Sequence, residues 1–371
     1  MPEVARYPDS YASSRDRFRE LADAQARWWR EFPLPADVGA TVTQSLTIDV
    51  AYLGPEHPDR LVLVTSGLHG VEGFFGAAVQ HRLLQQLANA NEQPVGLLLV
   101  HALNPFGFAN RRRWNEANID LNRNFLLPDE AYAGVPPRYA DMNRLLNPTR
   151  APRSADPFLW LAAGKIARFG LSALQQAIAG GQYEYPQWLF FGGKEPSATQ
   201  VLLLEHLHNW VQGAEQIVHL DFHTGLGPWA THKLLIEEPA DSPGAQSLSA
   251  IYGKQLVCSP YDNKSAYHTR GGIGSWCKHH LGNRRYSYAC AEFGTYGPLK
   301  VLAGLRKENQ AYWYTPPDSA ARRVAADRLQ ELFCPASCEW RARVLSDGVK
   351  LVTQALTTLA KAGQGSGRPL A

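Results

Sequence analysis

Arg60-Leu61-Val62-Leu63-Val64-Thr65-Ser66-Gly67-Leu68-His69-Gly70-Val71-Glu72-Gly73 is the stretch that decides how this chain is read. Its first half is a short apolar run, the pattern of a strand buried on both faces in a parallel sheet. The run delivers a turn, and a helical stretch from Gly73 to Leu87 follows. His69 and Glu72 lie three positions apart at the start of that helix, so both project to one side and offer a nitrogen and an oxygen to one zinc ion. A catalytic zinc takes three protein ligands and keeps one position open. The reading therefore requires a distant third ligand, a base and substrate-binding groups downstream.

The 371 residues are 45% hydrophobic and 19% charged, enough for one large globular core or two smaller ones and unlike a disordered chain. Lys plus Arg number 37 against 34 Asp plus Glu, a net charge of +3 with no charge blocks, which argues against a nucleic-acid partner. The amino terminus has no apolar h-region and no segment has the length of a membrane span, so the expectation is a soluble cytoplasmic protein without a membrane partner. Five cysteines, Cys258, Cys277, Cys290, Cys334 and Cys338, form no C-x-x-C pair, as expected of reduced thiols, and structural zinc on sulfur is disfavoured.

Working outward from the opening strand, Ser10–Phe32 reads as an amphipathic helix laid across the core and stopped by Pro33. Thr43–Leu53 and Val95–Leu103 read as strands, giving with 61–66 and the helix from Gly73 an α/β pattern. Residues 128–157 form a proline-rich surface excursion that walls the active site, broken by a short helix at Tyr139–Leu146. Helices are expected at Phe158–Ala179 and Ala198–Gln212, strands at Gln216–Phe222, Lys233–Glu237 and Tyr286–Phe293, and a helical tail from Ser319 to Ala362. The fold class is α/β: a single domain over residues 1–362 with a mixed, mostly parallel central sheet flanked by helices, and a flexible tail at 363–371.

Chemistry-bearing motifs recur after the opening one. Asn104-Pro105-Phe106-Gly107-Phe108 follows a strand, then come Arg113-Trp114-Asn115, Asp120-Leu121-Asn122-Arg123-Asn124-Phe125, Asp221-Phe222-His223-Thr224-Gly225 and Glu292-Phe293-Gly294-Thr295. His69 and His223 both fall at carboxyl ends of strands, where open α/β sheets bind ligands. His219 is a rival donor two pleats deeper on the same strand face. Asp221 either orients an imidazole or caps a loop amide. Glu292 follows an apolar and aromatic strand, an expensive place for an unpaired carboxylate, and reads as a buried base or as a salt-bridged strand end.

In this order, from Gly67 to Thr295, the motifs resemble the zinc carboxypeptidase-like (M14-type) metallopeptidase superfamily, including its bacterial branch of uncharacterised, DUF2817-like members. The set also borders on the aspartoacylase and succinylglutamate desuccinylase branch. The resemblance implies a zinc carboxypeptidase-like fold and one Zn2+ held by His69, Glu72 and His223. It implies that Glu292 is the general base and that Arg113 stabilises the oxyanion, with Arg111 and Arg112 as adjacent alternatives on what is otherwise a solvated face. Asn122 and Arg123 would hold a substrate carboxylate, and Asp120 would position their loop. The segment Tyr267-His268-Thr269-Arg270-Gly271-Gly272-Ile273-Gly274-Ser275-Trp276 is similar to the one that carries a mobile, substrate-contacting tyrosine, here Tyr267, or is an ordinary flexible connection. Gly274 in that register supplies no carboxylate for basic side chains.

The implied activity is zinc-dependent hydrolysis of an amide or peptide bond beside a free carboxylate, on a small peptide or N-acyl amino acid. The alternative is an N-acyl amino acid deacylase, which typically has fewer residues between the arginine and D-L-N-R than this chain has. A non-catalytic metal-bearing binding module is a third reading, opposed by the intact Glu292.

Overall fold

The computed structural model describes residues 7–35, 45–87, 93–153, 156–170, 180–259 and 270–365. Eight strands form one mixed sheet: β1 (Trp28–Pro33), β2 (Thr47–Leu53), β3 (Arg60–Ser66), β4 (Gly96–His101), β5 (Gln216–Thr224), β6 (His232–Leu235), β7 (Val257–Cys258) and β8 (Arg285–Phe293). Their order across the sheet is β1-β2-β4-β3-β5-β8-β6-β7. The four central strands, β4, β3, β5 and β8, are parallel, whereas β1, β2 and β6 join antiparallel at the flanks.

Alternation along the central strands divides their side chains between the two faces. Val62, Val64, Leu97, Leu99, Val218, Leu220, Ala289 and Ala291 enter one core, beneath α1 (Tyr11–Gln25), α2 (Gly73–Gln86) and the helix Cys338–Gly365. Leu61, Leu63, Leu98 and Ile217 enter the other, beneath the helices Ala198–Trp210 and Ile273–Leu281. On that second face, Ile217 is followed along β5 by His219, Asp221 and His223, and Tyr286 and Tyr288 are followed along β8 by Cys290 and Glu292. A third cluster packs the short helix Asn143–Leu146 and Phe158 against Leu189, Phe190, Leu305 and Phe333.

Several expected elements end differently. The helix expected over Ser10–Phe32 stops at Gln25, and Trp28–Pro33 pairs antiparallel with β2 as an edge strand. The cause is aromatic packing: Trp28 stacks on Tyr52 at 5.6 Å and Phe32 meets Trp210 at 5.0 Å. The helical tail is two helices, Ala320–Phe333 and Cys338–Gly365, interrupted at 334–337, and the second continues to Gly365, past the expected end at Ala362. Strand β5 runs two residues further than expected, so His223 lies within it and not beyond its end. Residues 43–44, 171–179 and 366–371, parts of the expected strand, helix and tail, lie outside the described residues.

Helix α1 is tied to α2 by His81 and to β4 by His101, both buried. Nε2 of His81 contacts the Ser14 carbonyl at 3.0 Å, Nε2 of His101 contacts the Ser14 hydroxyl at 2.9 Å, and the two rings stack at 6.1 Å. Burial lowers both to about 3, assisted by each ring's cationic neighbours, among them Arg19 beside His101. A histidine whose folded pKa lies below its unfolded value binds fewer protons when folded, so stability falls as pH drops below about 6.5. Each ring should cost about 2 kcal/mol between pH 7 and pH 5. Denaturant unfolding at the two pH values should show this loss, and His101→Leu should remove its share of the slope whatever its stability at pH 7. An unchanged slope would contradict the assignment.

Candidate metal centre

The turn after β3 is fixed by backbone contacts before any side chain is considered. Gly70 N donates to the Arg113 carbonyl and Val71 N to that of Arg112. A Cβ at Gly70 would lie 2.1 Å from the Gly107 carbonyl carbon, so only glycine permits this approach of two loops. The turn enters a single 3-10 turn, Gly70–Glu72, which carries Glu72 round beneath His69. Register brings the third residue to the same place. β3 and β5 pair in parallel with Thr65 opposite Asp221 and Ser66 opposite Phe222, so His223 lies one residue beyond the level at which β3 ends.

His69, Glu72 and His223 converge there, all buried. His69 Nδ1 lies 2.9 Å from Glu72 Oε1 and 3.1 Å from His223 Nδ1, and His223 Nδ1 lies 3.1 Å from Glu72 Oε2. Two ring nitrogens facing each other at this distance have room for one proton between them, whereas a shared cation satisfies both. Ligands placed tetrahedrally at 2.0–2.1 Å from zinc stand roughly 3.3 Å apart, close to the spacing found. The donor set of two imidazoles and one carboxylate therefore fits a divalent metal.

Each imidazole presents Nδ1 to the cluster and turns Nε2 to a carboxylate. His223 Nε2 meets Asp221 Oδ2 at 2.6 Å, and His69 Nε2 meets Asp120 Oδ1 at 3.2 Å. This carboxylate–imidazole pairing fixes ring orientation and raises donor strength in metal sites. Burial alone would raise Glu72, Asp120 and Asp221, but their partners hold all three below the usual carboxylate range: His69 and His223 for Glu72, Arg113 and His69 for Asp120, His223 for Asp221. Burial opposes a charge on His223, yet Asp221 and Glu72 hold it well above the usual imidazole range, so the metal-free ring keeps a proton that a cation would displace. His219 is no part of the cluster; it bonds to Thr65 and Tyr286.

Glu292 stands beside the cluster as His223's register partner on β8. Its Oε1 accepts from the Leu226 amide at 2.8 Å, and its other oxygen lies 3.9 Å from the Cys290 sulfur. No ion pair to it occurs among the described residues. Burial, reinforced by repulsion from Glu72, pushes its carboxyl up to about 7. Of the three consecutive arginines only Arg113 faces the cluster, with Nε 3.0 Å from Asp120 Oδ2 and Nη1 3.6 Å from Glu72 Oε1. Arg111 pairs with Asp327 at the surface. Arg112 is not on a solvated face: it is buried, bonded to Glu308 and stacked on the Tyr312 ring.

Asn122 and Arg123 sit in a 3-10 turn, Leu121–Arg123, in which the Asp120 side chain accepts from the Asn122 amide. Arg123 is buried; Nη1 donates to the Asn122 carbonyl, whereas Nε makes no hydrogen bond among the described residues, and neither does the Asn122 Oδ1. Burial lowers the Arg123 pKa, partly offset by Asp120. Gly271, at φ +70°, brings its backbone against the Arg123 carbonyl, where a Cβ would stand 2.3 Å away. A buried guanidinium with an unused donor is suited to a carboxylate ligand. Tyr267 lies outside the described residues. Sequence reasoning did not single out Thr65, Tyr286, Tyr288 or Glu237, the last of which accepts from the Ser275 amide at the start of the helix Ile273–Leu281.

The fold resembles that of carboxypeptidase A from Helicoverpa armigera, with a TM-score of 0.50 at 14% identity over 97% of this chain and 76% of that one. Murein-tripeptide amidase MpaA from Escherichia coli O157 matches with a TM-score of 0.39 at 17% identity, over 83% of this chain and 95% of that one. An aspartoacylase family protein from Mesorhizobium loti matches with a TM-score of 0.38 at 16% identity, over 74% of this chain and 63% of that one. No curated protein matches the sequence. Residues 7–347 match the family described as a protein of unknown function, DUF2817, and the chain belongs to that family.

Proposed function

We propose that this chain is a zinc-dependent hydrolase that cleaves an amide or peptide bond adjacent to a free carboxylate, in the manner of a metallocarboxypeptidase. The observation that carries the reading is the convergence of His69, Glu72 and His223, each imidazole backed by a carboxylate, with Glu292 alongside and free of ion pairs among the described residues. His69, Glu72 and His223 would hold the ion. When bound, zinc supplies a Lewis acid that polarises the scissile carbonyl and acidifies a water.

The chain's own residues do the rest. Glu292, raised toward neutrality, takes a proton from the attacking water and returns it to the leaving amine. Arg113, fixed by Asp120, keeps a guanidinium beside the cluster where negative charge develops on the substrate oxygen. Arg123 receives the substrate carboxylate through its unused donor, with Asn122 beside it. Five free cysteines suit a reducing compartment, and we place the protein in the cytoplasm. No helix among the described residues is long and apolar enough to cross a membrane.

Chelation should abolish hydrolysis and zinc should restore it. Glu292→Gln should retain stoichiometric zinc while kcat falls by about 10²-fold or more; full activity in that variant would remove Glu292 as base. A panel of dipeptides, peptidoglycan fragments and N-acyl amino acids, each with and without a free α-carboxylate, separates the peptidase from the deacylase. Arg123→Ala should raise KM about 100-fold for free acids, equivalent to a lost charge-assisted bond, and leave the amidated analogues unaffected. Equal losses on both series would rule out Arg123 as the carboxylate clamp.

A further inference from the structure

We propose that Thr65, His219 and Tyr286 form a one-way hydrogen-bond relay ending at Asp221, which holds the His223 ring with Nδ1 facing Glu72 and His69. They are positioning residues of the metal centre, and the inference rests on the reading that this cluster holds a cation.

The direction of the relay follows from a proton inventory. Thr65 Oγ1 donates its single proton to Asp221 Oδ1 across 2.6 Å, the shorter of the two polar contacts it makes among the described residues. The same oxygen lies 2.8 Å from His219 Nε2 and has only lone pairs left, so Nε2 carries the hydrogen. Burial lowers His219 to about 4, so its ring is neutral at pH 7 and Nδ1 is bare. Tyr286, which burial pushes well above its ordinary value, keeps its proton and donates it to that Nδ1 across 2.6 Å. Every hydroxyl and ring hydrogen thus has one permitted position. The Tyr288 hydroxyl, 3.4 Å from Asp221 Oδ2, adds a long contact of the same sense.

Strand register builds this line. Thr65 stands opposite Asp221 on β3, and His219 stands opposite Tyr288 on β8, with Tyr286 two residues back on the same face. Tyr286 is 4% exposed, Thr65 2%, and His219 and Asp221 are fully buried. An apolar side chain at position 219 would suit a sheet core and cost no desolvation, so the buried polar line is not explained by packing. Its consequence is preorganisation: Asp221 keeps one lone pair for His223 Nε2, and Nδ1 remains for the ion.

The test measures zinc affinity by competition with a chromophoric chelator, together with ring tautomers by 15N NMR of histidine-labelled protein. Wild-type His219 should show the Nε2–H tautomer even without metal. Thr65→Val should weaken zinc binding by about 10- to 100-fold, and Thr65→Ser, which keeps the hydroxyl, should bind as wild type. Tyr286→Phe should weaken binding several-fold and mix the His219 tautomers. The relay is overturned if His219 carries its proton on Nδ1, or if folded Thr65→Val binds zinc as tightly as wild type. Should Thr65→Val not fold, Tyr286→Phe and the wild-type tautomer decide the matter. Absence of zinc binding in wild type would remove the metal reading, whereas the tautomer in metal-free protein still decides the relay.

Discussion

Concentrated negative charge, buried and held in register, is the constraint on which the rest of this molecule depends. Glu72, Asp120, Asp221 and Glu292 lie within one pocket at the carboxyl edge of the sheet, and the guanidinium groups near them belong to Arg113 and Arg123. With neutral imidazoles and Glu292 ionised, four carboxylates against two guanidinium groups leave an excess that one divalent cation would match. Unpaired buried carboxylates are costly, so such a pocket persists only if protons, cations or both offset it. The metal-free chain meets part of this demand by holding His223 protonated.

The pocket exists because β3 and β5 run side by side, with β5 continuing two residues past the end of β3. Their pairing sets His69, three residues past one strand, against His223 at the end of the other, and the β5–β8 pairing adds Glu292 directly beside His223. The loop at Gly107–Arg113 then closes on Gly70 and brings Arg113 and Asp120 to the far side of His69. Rigid strands thus supply one imidazole and the proposed base, and a clasped pair of loops supplies the other imidazole and the proposed oxyanion cation. Sites carried on rigid elements hold their geometry within the narrow limits that catalysis needs.

Much of this was legible in the residues alone. An apolar strand, a turn and a helix could be read at 60–87, and His69 and Glu72 are near enough in sequence for their spacing to imply a shared ligand. The central strands were visible as apolar runs because both of their faces are buried. What was not legible depended on pairing between distant strands. Nothing in one sequence says that Thr65 stands opposite Asp221, so the Thr65–His219–Tyr286 line was invisible and His219 passed for a rival donor. β1 was hidden because its six residues, Trp28–Pro33, do not alternate and adjoin a polar helical pattern, which tertiary pairing with β2 overrode. Arg112 was misjudged as solvated because a run of three arginines usually is, whereas Glu308, Asn118 and Tyr312 bury this one.

The central claim is that two imidazoles and one carboxylate, from opposite halves of the chain, surround a single divalent ion. X-ray absorption at the zinc edge of the purified, zinc-loaded protein tests it most directly. The account predicts one zinc per chain with nitrogen and oxygen scatterers at about 2.0–2.2 Å and imidazole outer-shell features. A sulfur scatterer near 2.3 Å, or zinc bound without imidazole, would contradict it.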